Sequence, residues 1–295
     1  MLSRTPTGVP GLDEVLHGGL IPGRMYLLSG EPGTGKTTVG MCFLREGVRR
    51  GERVLCITLS EPVANLVQNA TAFGIEVAGI DFLDLSPTQE FFTQVETYDL
   101  FSPADVERVP TTEKILKSVE QVRPARVFVD SLSQFRYLAQ NPFQYRKQVL
   151  SFIRFLTRQG ATVLATSERS IEAPDADLRF LADGVIVLSR TRHGRSLEIL
   201  KFRGSSFETG VHELEFVPGG VRVLPRLVPP EKCAECSFAP VSSGILELDA
   251  LCGGGLEEGT VTLITGPTGT GKTNPCPAVC LGSDPDREAG GGVFL

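Results

Sequence analysis

A glycine-rich segment, Gly30–Thr37 (GEPGTGKT), constrains the fold of this chain more than any other feature. Its spacing is that of a phosphate-binding loop, G-x-x-x-x-G-K-[ST], and the apolar run before it and the helical pattern after it are the flanks that such a loop requires. The glycines let successive amide groups point into one concavity, at the positive end of the following helix. The segment therefore predicts a nucleotide site in a strand–loop–helix unit of an α/β protein.

Two side chains of this loop have distinct expected roles. We expect Lys36 to reach the β- and γ-phosphates of the nucleotide, and the Thr37 hydroxyl to ligate Mg²⁺. The other predicted nucleotide-binding residues of the segment are Gly30, Gly33, Thr34, Gly35 and Thr38.

Two acidic residues, Asp130 and Glu61, follow apolar strand patterns at 126–129 and 54–59. Since the carboxyl ends of parallel strands meet beside such a loop, Asp130 is the predicted second metal ligand. Glu61 is the predicted residue that orients or deprotonates water. Alternatively, Asp130 caps the turn that follows it, and Glu61 caps the helix that Pro62 begins.

The beginning of the chain is repeated near its end. Residues 7–37 and 243–273 align without a gap at a constant offset of 236, and 14 of the 31 aligned positions are identical. The repeat therefore predicts a second copy of the same module, because ungapped identity of this extent does not arise by chance. Its loop supplies a second set of predicted nucleotide-binding residues: Gly266, Gly269, Gly271, Lys272 and Thr273.

The second copy departs from the first after Thr273. Pro275 and Pro277 fall where the first copy has a helix, and proline removes the amide donors that a helix needs. The equivalent of Asp130 would fall at position 366, outside the 295 residues. We therefore expect the second loop not to hydrolyse ATP. A frameshift near codon 272 would explain the altered tail, and a true gene end or a decayed module is the alternative; resequencing distinguishes them.

The first copy alternates helical and strand patterns. Strands are predicted near residues 24–29, 53–59, 81–85, 126–130 and 162–166, and helices near 36–50, 62–73, 112–122 and 142–158. Residues 91–110 are predicted to form a long loop or lid, and four later strand patterns, between 184 and 224, predict closing antiparallel hairpins. The prediction is an α/β fold with a mainly parallel central sheet flanked by helices. We expect one domain at 1–229, a linker at 230–241 and a truncated second domain at 242–295.

Composition excludes several classes of protein. The net charge is −6 with a pI of about 5.3, which argues against a protein that mainly coats nucleic acid. No apolar run approaches the ~20 residues that span a membrane, and the first residues lack a signal core, so we expect a cytoplasmic protein without a membrane partner. Cys233-x-x-Cys236 is only a weak zinc or redox signal without a second pair. The basic turn of Arg190, Arg192, His193 and Arg195 is interpreted as a solvated hairpin tip, and contact with nucleic acid is the alternative.

Taken together, these motifs resemble the KaiC family of RecA-like P-loop ATPases. The motifs that carry the resemblance are Gly11-Leu12-Asp13, Gly18-Gly19-Leu20, the sequence GTGKTT at 33–38, TLSE at 58–61, VDSLS at 129–133, LKFRG at 200–204 and PRL at 225–227. The resemblance covers residues 5–227 and resumes at 242–273. The tandem arrangement is also similar to that family.

The resemblance implies hexameric rings, with ATP bound between neighbouring subunits in the presence of Mg²⁺. Lys201 and Arg203 match the family's Lys-x-Arg pair, which reaches the γ-phosphate of the adjacent subunit. Positive charge supplied in trans would then stabilise a charged transition state. Alternatively, the two residues are solvated charges on one face of a strand.

Several functions remain open at this point. The leading hypothesis is a Mg²⁺-dependent ATPase that assembles with itself and with an unknown regulatory protein. Because Ser60 stands where the family often has an acid, an ATP-gated binding module with little hydrolysis is the second hypothesis. A DNA-repair ATPase of RadA or RecA type would show stimulation by single-stranded DNA, and the acidic pI argues against it. Autophosphorylation of serine or threonine would require a full second module.

Overall fold

The computed structural model describes residues 3–86, 103–136, 139, 141–168, 175–192, 194–227, 240–257 and 260–271. The chain divides into two compact units, Met1–Leu227 and Val228–Leu295, and each is described by itself. The helices of the first unit are α1 (Leu12–Val15), α2 (Lys36–Arg49), α3 (Val63–Ala72), α4 (Pro103–Val122), α5 (Pro142–Arg158) and α6 (Ala176–Leu181), with a 3-10 turn at Leu132–Arg136. Its strands are β1 (Met25–Gly30), β2 (Val54–Thr58), β3 (Asp81–Asp84), β4 (Arg126–Asp130), β5 (Thr162–Glu168), β6 (Gly184–Thr191), β7 (Gly194–Phe202), β8 (Val211–Val217) and β9 (Gly220–Leu224).

The nine strands form one sheet in the order β3-β2-β4-β5-β1-β6-β7-β8-β9. The first six strands in this order are parallel, and β7, β8 and β9 extend the sheet by antiparallel pairing. The predicted α/β fold, with a mainly parallel sheet and closing hairpins, is thus confirmed. Strand β1 lies between β5 and β6, so the loop that follows it leaves from the interior of the sheet.

Alternate residues of β1 pack on opposite faces of the sheet. Tyr26 and Leu28 belong to a buried cluster that also contains apolar residues of α2. Met25 and Leu27 belong to a second cluster on the other face, together with residues of α5. Both faces are therefore covered, which explains why this strand reads as a continuous apolar run.

The structure differs from the sequence prediction between residues 103 and 110. We predicted a loop or lid at 91–110, but helix α4 begins at Pro103. Proline is tolerated at the first position of a helix because its missing amide hydrogen would have no partner there. Pro110, in contrast, lies inside the helix. The loop prediction is therefore wrong for these residues, and its remainder, 91–102, lies outside the described residues.

The second unit repeats the beginning of the first. Val241 pairs with Leu256, as the equivalent Thr5 pairs with Leu20, within the short strands β10 (Pro240–Val241) and β11 (Leu256–Glu257). Helix α7 (Leu246–Leu251) corresponds to α1. Residue Asp249 accepts the Ser243 amide at 2.7 Å, and Asp13 accepts the equivalent Thr7 amide at 2.8 Å.

The equivalent of β1 is not a strand in the second unit. Val261 is 98% exposed and Leu263 is 82% exposed, whereas the matching Met25 and Leu27 are buried. In the first unit β1 is held by β5 and β6, which lie more than 130 residues further along the chain. Among the described residues, none pairs with 261–266 in this way, so the segment lacks the neighbours that hold β1.

Candidate nucleotide site

The predicted phosphate-binding loop leaves β1 at Gly30 and enters α2 at Lys36, as the motif requires. Gly33 and Gly35 have φ angles of +75° and +105°, a region that favours glycine. At Gly35 a Cβ atom would also lie 3.0 Å from the ring of Phe216. The Thr34 hydroxyl donates to the carbonyl of Glu31 at 2.9 Å and closes the turn. These contacts shape the loop from its own residues.

The ammonium group of Lys36 is held against the loop backbone. Its Nζ donates to the carbonyl oxygens of Gly30 at 2.8 Å and Glu31 at 2.9 Å. Burial lowers the pKa of Lys36, and the nearby carboxylates, Asp130 foremost, oppose that shift. The loop thus holds a largely buried cation at the end of a parallel strand, which is the charge that binds phosphate.

Asp130 lies beside the loop at the carboxyl end of β4. Its Oδ2 accepts the Thr37 hydroxyl at 2.7 Å, and its Oδ1 accepts the Thr166 hydroxyl at 2.5 Å. Strand β5 supplies Thr166, which we did not predict from the sequence. A hydroxyl next to a carboxylate is the oxygen donor set that Mg²⁺ prefers, so these residues fit the metal. Among the described residues there is no group of three or more His, Cys, Asp or Glu side chains that could hold another ion.

Glu61 lies just after β2, whose residue Thr58 is paired with Asp130. The Asn69 side chain donates to Glu61 Oε1 at 3.2 Å. Burial, and secondly the charge of Asp130, raise the pKa of Glu61. The alternative that its carboxylate caps α3 is not what the structure shows, because Asp84 accepts the Val63 amide at 2.9 Å instead.

A cleft of about 500 Å³ adjoins the loop. Its lining includes Lys36, Thr37, Thr38 and Glu61, and its apolar wall is formed by Leu66, Phe73, Ile75 and Phe216. A polar end and an apolar wall suit a ligand with a charged group and a flat ring. The apolar wall was not predicted from the sequence, since its residues come from α3, the following turn and the distant strand β8.

Arg195 corrects one sequence interpretation. We took the basic turn of the β6–β7 hairpin to be a solvated tip, and Arg190 and Arg192 are indeed exposed. The Arg195 guanidinium, however, lies 4.5 Å from the ring centre of Phe216, and its Nε donates to the Gly33 carbonyl at 3.3 Å. The side chain therefore forms part of the cleft.

Lys201 and Arg203 are not brought to the loop of their own chain. Lys201 pairs with Val185, which lies next to Leu27, whereas the loop begins three residues later at Gly30. The Lys201 ammonium donates to the carbonyls of Arg179 and Phe180 at 3.0 and 3.1 Å. Burial, and secondly Arg203, lower the pKa of Lys201. Arg203 lies 3.8 Å from Asp183.

The second predicted loop has the same local turn as the first, but its described glycines are exposed to solvent. Gly269 and Gly271 also have positive φ angles, and the Thr270 hydroxyl donates to Pro267 at 2.8 Å. Gly266, Gly269 and Gly271 are exposed. Lys272 and Thr273 lie outside the described residues, as do the tail at 274–295 and the Cys233-x-x-Cys236 pair. No described helix has the length and apolar character needed to cross a membrane.

Comparison with known proteins gives concordant matches. The family model described as "ATPase: KaiC" matches residues 5–228 and 241–276. The circadian clock oscillator protein KaiC of Synechococcus elongatus is 32% identical over 287 residues, which cover 92% of this chain and 54% of that protein. The protein of the same name from Parathermosynechococcus lividus is 31% identical over 288 residues, covering 92% of this chain and 52% of the relative. The chain spans about half the length of these curated relatives.

Proposed function

Because this chain belongs to the KaiC family of ATPases, with a RecA-like P-loop fold, we propose that its first unit binds and hydrolyses ATP in a Mg²⁺-dependent reaction. The observation that carries this proposal is the contact between the Thr37 hydroxyl and Asp130, beside the buried ammonium of Lys36. A cation, a hydroxyl and a carboxylate at the carboxyl ends of β1 and β4, two parallel strands of one sheet, are the parts that phosphoryl transfer requires.

Each part of the site has a defined task in the proposed reaction. Lys36 and the loop amides bind the phosphates, and the apolar wall of the cleft accepts the base. Thr37 and Asp130 would hold Mg²⁺, which neutralises phosphate charge when bound. Glu61 accepts the proton of the attacking water, and its raised pKa favours that acceptance near neutral pH.

We also propose that the site is completed by a neighbouring copy of the chain in a hexameric ring. Strand register supports this arrangement, because Lys201 and Arg203 lie toward the amino end of β1, away from the loop at its carboxyl end. In a ring, these two cations would face the phosphates of the adjacent subunit. Charge supplied in this way stabilises the transition state of phosphoryl transfer.

A binding module with little hydrolysis remains the second candidate. It is supported by the sequence at 60–61: because Ser60 precedes Glu61, only one acidic residue is available there to activate the attacking water. In either case we propose that the second loop does not turn over ATP, since its strand is absent and its glycines are exposed. Autophosphorylation would need a complete second module, and a regulatory protein partner is part of either proposal. Nucleic acid is not expected as a partner.

Substitution of Lys36 tests the proposal. Lys36→Ala should reduce Mg-ATP turnover at least about 100-fold, because it removes the cation that meets the phosphates. Lys147→Ala is the matched control: this lysine lies exposed on α5, so turnover should stay the same. Phosphate release with and without Mg²⁺ is the measurement. Full activity in Lys36→Ala would contradict an ATPase of this type.

A further inference from the structure

A buried cluster behind the phosphate-binding loop has no role in the proposed chemistry. Asp175 is 5% exposed and lies just before α6. Its carboxylate accepts the hydroxyls of Ser29 on β1 and Ser167 on β5, the latter at 3.1 Å. A carboxylate at this depth is costly unless it is paired, so the cluster holds the start of α6 firmly against two strand ends.

Arg179 ties the same cluster to the helix. Its Nε lies 2.7 Å from Asp175 Oδ1, and a second guanidinium nitrogen donates to the Ser29 hydroxyl at 3.0 Å. The residue after Ser29 is Gly30, whose carbonyl accepts the Lys36 ammonium. One end of the cluster therefore touches the backbone that binds the phosphates.

The other end of the same helix holds Lys201. The carbonyls of Arg179 and Phe180 lie in the last turn of α6, where backbone oxygens lack intrahelical partners, and they accept the Lys201 ammonium. Through the Arg179 side chain, helix α6 thus contacts Ser29, the residue that precedes the nucleotide loop of its own subunit. Through the carbonyls of Arg179 and Phe180, it holds the cation that the proposed ring offers to the next subunit.

We propose that Asp175 and Arg179 are positioning residues that couple the phosphate-binding loop of a subunit to the Lys201 that the same subunit presents to its neighbour. This inference rests on the proposed function, because it requires Lys201 to act in trans. The contacts of Asp175 and Arg179 with Ser29 fix the position of α6, and α6 in turn fixes the position of Lys201. Displacement of a catalytic cation by about 1 Å costs up to ~100-fold in rate.

Assemblies made from two variant chains test in which chain Arg179 acts. Chains with Lys36→Ala keep Lys201, and chains with Lys201→Met keep the loop. Neither is expected to hydrolyse ATP alone, and mixing them should restore turnover where an intact Lys201 faces an intact loop. Adding Arg179→Gln to the Lys36→Ala chain should lower the restored rate about 10-fold or more. The same substitution in the Lys201→Met chain should leave the restored rate within about 2-fold.

Two controls separate coupling from damage to the fold. Lys147→Gln removes a positive charge from an exposed position on α5, and it should leave the restored rate unchanged. Arg179→Lys keeps a positive charge beside Asp175 and should recover part of the rate. Arg179→Gln leaves the buried Asp175 without its cation, so the melting temperature should fall, and by the same amount in either chain. The ATP affinity of the Lys201→Met chain should change little, since its loop residues remain intact.

The outcomes distinguish failure of the site between subunits from failure of the coupling through Arg179. If mixing restores nothing, action of Lys201 in trans is wrong, and the coupling is overturned with it. If mixing restores turnover but Arg179→Gln lowers it equally in either chain, the trans site stands and the coupling is wrong. The proposal predicts that Arg179→Gln lowers the restored rate only when it is in the chain that supplies Lys201.

Discussion

At the scale of single residues, the environment of Glu61 sets the pH range of the proposed reaction. Burial and the neighbouring Asp130 both disfavour its charged form, so the pKa of Glu61 lies above the ordinary 4.5. A general base is active only when deprotonated. Turnover should therefore fall as the pH falls through this raised pKa, and it should be retained above it.

A pH–rate profile checks this prediction. The acid limb of kcat should lie above pH 4.5, and Glu61→Gln should remove both the limb and about 100-fold of the rate. Asn69→Ala, which removes the amide donor that favours the charged form, should move the limb to higher pH. A Glu61→Gln chain with the original profile would show that another group is the base.

The site residues that could be predicted from the sequence are those that a local sequence pattern marks. Lys36 and Thr37 are fixed by a local motif, and Asp130 follows a strand pattern that ends beside that motif. Thr166 and Asp175 were missed because they reach the site from strand ends and turns that only the folded sheet brings together. The polar run Thr166-Ser167-Glu168 after a buried strand was the available signal.

At the scale of elements, α2 packs against the sheet so closely that one position must be glycine. A Cβ atom at Gly40 would lie 2.1 Å from the ring of Phe128 on β4. Gly40→Ala should therefore lower the free energy of unfolding by about 1–3 kcal/mol, although alanine favours helices by about 1 kcal/mol over glycine. Urea denaturation measures the change.

A second substitution makes this prediction specific. Phe128→Leu removes the ring that the new methyl group would meet, so the double variant should be more stable than the sum of the two single changes predicts. Equal or higher stability of Gly40→Ala alone would contradict the close approach of α2 and β4.

Helices and strands were predictable to the extent that their patterns were regular. The apolar periodicity of α5 and the buried run of β4 gave their bounds directly, at Pro142–Arg158 and Arg126–Asp130. The beginning of α4 was missed because two prolines and a polar sequence indicated a loop. Proline at the first helical position is compatible with a helix, and the pattern alone did not distinguish the two.

At the scale of the whole molecule, the two copies of the module share their local turns but differ in the strand that precedes the loop. The second unit repeats the short strand pair and the turn of the loop, but the strand between them is missing. Lys272→Ala should therefore leave ATP turnover within about 2-fold of the unaltered chain, in contrast to Lys36→Ala. A large loss of turnover in Lys272→Ala would show that the second loop is an active site.

The central claim is that a Mg²⁺-dependent ATPase site is completed between two copies of this chain. The most direct test is the rate of Mg-ATP hydrolysis per subunit as a function of protein concentration. We predict a steep rise with concentration that Lys201→Met abolishes, because the dissociated chain lacks the cation from its neighbour. A rate per subunit that does not depend on concentration, and that survives Lys201→Met, would contradict the account.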